Sequence, residues 1–217
     1  MRSTLIQTGV IRNAAEAPVI EVKPGEKNMQ YMLQTIQKFF AEAGINGEQN
    51  FGELYNRLSK PEYGIGLKKG VIPIYIAIII HLNRGNLVIK KANVEQKISA
   101  DLLNDINDKP NNYSVVLENW NEEKALYLAR LEELFDKYIH EQEKVYNSFA
   151  YIVSAMNRWY MSLPKYAKEM SKIYKGRGAF RAISTSHRKL VNSLKQLDIN
   201  PREYLFEKVF ALSLIHI

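Results

Sequence analysis

The side chains able to do chemistry are few and badly spaced for it. Four histidines stand at His81, His140, His187 and His216. Metal sites draw their ligands from short repeated spacings, and these four are scattered, so no metal or cofactor site is expected. Ser186 adjoins His187, but adjacent residues on a helix point apart and cannot form a nucleophile–base pair. The pairs Glu122–Glu123 and Glu132–Glu133 fail as general acid and base for the same reason. Residues 64–70, GIGLKKG, superficially resemble a phosphate loop. They lack the Lys-Ser/Thr that reaches phosphate and magnesium, and no strong strand precedes them. The glycines there are expected to shape a turn instead. No catalytic residue is expected anywhere in the chain.

The remaining dense grouping is basic. Between 165 and 195 nine Lys or Arg stand against one acid, Glu169. Lys172, Lys175, Arg177, Arg181, Arg188 and Lys189 are the candidate contacts to a polyanion, with Gly176 and Gly178 permitting close approach of the backbone to phosphate. Residues 92–143 are the opposite, with twelve acids and five bases. Such asymmetry suits a basic surface for nucleic acid. Two solvated faces are the plainer alternative.

These residues must be carried by something, and the pattern is mostly helical. Residues 28–43 place Met32, Ile36, Phe39, Phe40 and Ala43 on one helical face, with Gly44 as C-cap. Residues 51–58 repeat it with Phe51, Leu54, Tyr55 and Leu58, and Pro61 stops the run. Residues 71–83 are apolar nearly all round, which predicts a central buried helix, His81 packed within it and Gly85 ending it. Segments 86–92 and 112–120 read as strands, and Ser99 caps a short helix between them. Helix, helix, strand, excursion, strand is the order of a winged-helix domain, here over 29–120. In most such domains a polar helix reads DNA. Residues 71–83 are too apolar for that, so the domain is expected to be structural.

Residues 121–211 are expected to be a helical bundle segment. Asn121 caps a helix whose stripe is Leu128, Leu131, Phe135 and Tyr138. After a break near 140–143 a second stripe runs Val145, Phe149, Ile152, Met156, Trp159 and Leu163, and Pro164 ends it. A third stripe takes Phe180, Ile183, His187, Leu190, Leu194 and Leu197 inward, which would turn Arg181, Arg188 and Lys189 to solvent. Asn200, Pro201 and Glu203 open a last helix. The fold class is therefore mainly α with a small β component, a winged-helix-like domain followed by a helical bundle.

The chain has 217 residues, 46% of them hydrophobic, with a net charge of +7 and no cysteine. Absence of cysteine excludes disulfides and thiolate chemistry and fits a reducing, cytoplasmic setting. The longest apolar stretch, 71–82, is too short to cross a bilayer, which needs about 20 residues in helix, so no membrane partner is expected.

The ending reads differently. LSLIHI, residues 212–217, is the literal translation of CTG TCT CTT ATA CAC ATC, which resembles the transposase mosaic end of tagmentation sequencing libraries. The natural chain is expected to continue past Ala211, the last six residues to add nothing to the fold, and Met1 is compatible with an internal start. Residues 1–28 would then be a leading segment, the end of a preceding ATPase module.

LYNRLSKPEYGIGLKKGVIPIYIAIII resembles a "pPYGl..GviPlllA" segment. That segment lies downstream of the ATPase core in large bacterial P-loop proteins of phage-defence loci, the BREX-type ATPases and their relatives. NRWYMSLPKYAKEMSKI followed by INPREYLFEKVF is similar to their later helical region. The resemblance implies ATP-driven action on DNA by the parent protein. The Walker lysine and aspartate of that family have no counterpart here, so this chain would be a non-catalytic accessory part. Its partners would be DNA, other defence proteins or the missing ATPase domain. A protein-interaction module with no nucleic-acid contact is the alternative.

Overall fold

The computed structural model describes residues 2–13, 18–145, 149–195 and 200–210. The expectations for 212–217, for Leu197 and for the side chains of Val145, Ser186 and His187 fall outside what it describes. The chain divides into two compact units, Met1–Asn119 and Trp120–Ile217. It is mainly helical, with small antiparallel sheets.

The first unit opens with helix α1 (Arg2–Gln7) and a small hairpin, β1 (Ile11–Asn13) and β2 (Pro18–Ile20). Helix α2 (Lys27–Ile45) follows, and the Glu26 carboxylate accepts from the amides of Asn28 and Met29 at its start. The helix runs past the expected C-cap Gly44, and Asn46 takes that place. A two-residue strand, β3 (Gln49–Asn50), leads into α3 (Phe51–Ser59). The Asn50 side chain caps α3 by accepting from the Gly52 amide at 2.8 Å, while its own amide donates to the Asn111 carbonyl at 2.9 Å. A Cβ at Gly52 would run into the Asn111 side chain, which would have to swing aside to admit it.

Helix α4 (Ile72–Leu82) carries Pro73 in its first turn, where the missing amide hydrogen is harmless. It buries Ile72, Tyr75, Ile76, Ile78, Ile79 and Ile80 against α2 and α5 (Ala100–Asp108). His81 does not join them. It is exposed on the outer face of the last turn, its ring within 3.0 Å of the Arg84 guanidinium. One step along the helix separates the buried Ile80 from the solvent side, and the near-continuous apolar run hides that step.

Strand β4 (Leu87–Lys91) turns directly into β5 (Val94–Gln96) through Ala92 and Asn93, both at positive φ. That is the geometry a two-residue hairpin prefers. After α5, whose N-cap Ser99 accepts from the Leu102 amide, β6 (Tyr113–Leu117) returns between β3 and β4. The sheet order is β3-β6-β4-β5, antiparallel throughout, with Ile89 opposite Val115 in the middle. One core joins these elements, and Leu5 and Val10 of the leading segment belong to it.

The second unit begins on α6 (Glu122–Phe135), capped by the Asn121 side chain on the Lys124 amide at 2.8 Å. The expected break falls at Asp136, where the chain tightens into short 3₁₀ turns. Helix α7 (Ala150–Ser162) follows. Its buried Ile152 and Met156 lie in the expected stripe, and Trp159 packs on Phe135 at 5.5 Å between ring centres. Trp120, Phe149 and Phe206 form a three-ring cluster with centre separations of 5.0 to 5.8 Å. Burial pushes the Tyr127 and Tyr151 hydroxyls far above their ordinary range, and Tyr151 also donates to Glu132.

The rest of the second unit departs from the helical expectation. After α8 (Lys165–Glu169) the chain forms a two-stranded hairpin, β7 (Lys172–Gly176) and β8 (Ala179–Ala182), before α9 (Thr185–Leu194). The helix thus starts at Thr185, and Phe180 lies on a strand and faces solvent. Helix α10 (Pro201–Glu203) runs into wide π turns over Tyr204–Val209, which bury Tyr204, Leu205, Phe206 and Val209. The Asn200 side chain does not cap α10; its amide donates to the Glu203 carboxylate at 3.1 Å.

Candidate nucleic-acid interface

Four of the six expected basic contacts share the hairpin. Lys172 and Lys175 stand on β7, Arg177 at the turn and Arg181 on β8. Arg188 and Lys189 follow on α9. All six are exposed, and among the described residues none is in an ion pair. Arg181 faces solvent because an isolated two-stranded sheet leaves its side chains uncovered, and not because an inward helical stripe turns it out.

The turn is built by Gly176, Arg177 and Gly178, all with positive φ. Two glycines make this left-handed path accessible, and the non-glycine Arg177 is held in it at the apex. The Gly178 amide donates to the Tyr174 hydroxyl at 3.2 Å, tying the turn to the strand.

Register sorts the side chains. Tyr174 stands opposite Phe180 and Lys172 opposite Ala182, so these share one face of the hairpin. Ile173 and Arg181 pair on the other face, and Lys175 falls at an irregularity between Tyr174 and Gly176. The Tyr174 and Phe180 rings pack at 5.3 Å between centres and remain 59% and 64% exposed. A cleft of about 480 Å³ beside them is lined by Tyr166, Glu169, Met170, Ser171, Lys172 and Phe180. Lys168 is turned away from it, donating to the Met161 carbonyl at 3.0 Å and lying over the Tyr160 ring.

Helical periodicity does not reveal the aromatic pair. Its signal in the sequence is Ile173, Tyr174 and Phe180 flanking Gly176-Arg177-Gly178, β-formers on either side of a glycine turn. Among the described residues no cluster of His, Asp and Glu could hold a metal ion, and no helix is long and apolar enough to cross a membrane. No protein-family model, curated protein or solved structure matches the chain.

Proposed function

We propose that this chain is a non-catalytic accessory part of a large bacterial P-loop ATPase of anti-phage defence, acting in the cytoplasm. It would contact DNA without reading its sequence. The observation that carries the DNA contact is the hairpin: four exposed cations on one short element, followed directly by two more on α9, none of them ion-paired among the described residues. Phosphate contacts position a protein on nucleic acid but specify no sequence. The ATPase context rests on the resemblance of residues 54–80, 157–173 and 199–210 to that family.

The first unit would be a winged-helix domain with α5 inserted in its wing. The reading is supported by three helices, a short strand between the first two, and sheet order β3-β6-β4. In that arrangement α4 takes the place of the reading helix, yet six of its residues are buried. The domain would therefore be a scaffold, and DNA contact would belong to the second unit. A protein-interaction module without nucleic-acid contact is favoured by Leu126 and Leu134, both exposed on α6.

Replacing Arg181, Arg188 and Lys189 together by Gln tests the two readings. All three are exposed, so the melting curve should be unchanged. The slope of log K against log salt for duplex DNA should flatten by about 3, near 0.9 for each phosphate that the variant no longer neutralises. Unchanged affinity and slope would make the patch a solvated face and leave the interaction module standing.

A further inference from the structure

We propose that the hairpin's preferred ligand is single-stranded nucleic acid, with unpaired bases stacking on Tyr174 and Phe180. This deepens, and rests on, the polyanion reading of the same hairpin. Cations alone would serve a duplex and a single strand alike. The rings break that symmetry. They are the two large aromatic side chains of the hairpin, they lie side by side on one face, and both are more than half exposed. A duplex keeps its bases stacked on one another and offers these rings nothing to cover them. An unpaired base has a free π-face and can cover them whatever its identity.

Charge is placed to suit. Lys172 lies on the ring-bearing face two residues before Tyr174, and Arg177 sits at the turn beyond it. A strand laid along this face would meet a cation, the two rings and a second cation in order. The cleft next to Phe180 extends the surface with Tyr166 and Met170. Its one acid, Glu169, is balanced by Lys172 on the same wall, so the recess carries no net charge and its apolar side offers room for a base. Stacking of this kind tolerates any sequence, as the phosphate contacts do, so the two features describe one ligand.

The test uses the full chain and three labelled probes of about 20 nucleotides: oligo(dT), an abasic strand of the same length, and a blunt duplex. The abasic strand keeps the phosphates and removes the bases. Oligo(dT) should bind more tightly than the abasic strand by about 5- to 150-fold for a single stacked base, and more tightly than the duplex. Phe180→Leu keeps an apolar side chain without a π-face; it should reduce the advantage of oligo(dT), since Tyr174 still offers one ring, and leave abasic affinity unchanged. Phe180→Trp should retain that advantage. Equal, salt-sensitive binding of oligo(dT) and the abasic strand would overturn the stacking proposal, assign the rings to another partner such as a protein, and leave the polyanion reading intact. Absence of salt-sensitive binding to all three probes would overturn both.

Discussion

Replacing Ile79 by Asp is expected to abolish folding of the first unit. Ile79 is fully buried on α4, which packs against α2 and α5. The substitution forfeits roughly 1.5–3 kcal/mol of apolar burial. It also places a carboxylate among isoleucines, and an unpaired buried ion is destabilising by several kcal/mol even after relaxation. A domain has about 5–15 kcal/mol of stability in all. Ile76, Ile78 and Ile80 on the same helix are buried as well, so the new carboxylate would lie in an apolar surrounding. Ile79→Val, which removes one methylene, should cost about 0.5–1.5 kcal/mol and leave a cooperative transition. Circular dichroism and a thermal melt of both variants decide the matter. A soluble Ile79→Asp variant that melts cooperatively would contradict the placement of α4 at the centre of the core.

The second large effect is expected at Phe149 in the other unit. Its ring is fully buried and touches Trp120 and Phe206 at 5.7 and 5.0 Å between centres. Ring contacts of this kind add to the area they bury. Phe149→Ala removes the middle of the cluster and should destabilise the unit by about 3–5 kcal/mol. In urea the transition should move to markedly lower denaturant, with Phe149→Leu falling between Phe149→Ala and the parent. A shift worth less than about 1 kcal/mol would mean that the three rings are not the centre of this unit's core.

The burial of Ile79 and Phe149 is legible in the sequence. The faces of α2 and α3 follow from three-and-four spacing, and α4 from its near-continuous apolar run between Lys69 and Arg84. Asn50, Ser99 and Asn121 each cap a helix through the side chain, but only Ser99 and Asn121 stand out, because a two-residue strand hides Asn50. Strand β3 has no local signal at all; its pairing with β6 comes from residues more than sixty positions away. Strand β5 escapes sequence reading because its turn is Ala92-Asn93, not the glycine-containing pair that usually marks such a hairpin.

At the basic hairpin, periodicity misleads. Phe180, Ile183, Leu190 and Leu194 satisfy helical spacing in the sequence, but they run across a strand, a loop and a helix. Only Leu194 of the four is buried. Periodicity predicts a helix where a face must be covered, and here the hairpin's strands stay exposed. The six cations are legible nonetheless, because charge density does not depend on the element that carries it. The aromatic pair is not, since its meaning arises only when Tyr174 and Phe180 are brought opposite one another by the turn.

The exposed cations of the hairpin and α9 are proposed to hold a nucleic-acid backbone. The most direct measurement is the binding of the full chain to a labelled duplex across a salt series, by fluorescence anisotropy, from about 50 to 200 mM. At about 0.9 per phosphate contact, six contacts predict a slope of log K against log salt near −5, and four predict about −3.5. Scrambling the duplex sequence should leave both affinity and slope unchanged. A slope in that range, independent of sequence, is the predicted result. Binding absent at the lowest salt, or unaffected by added salt, would contradict the account.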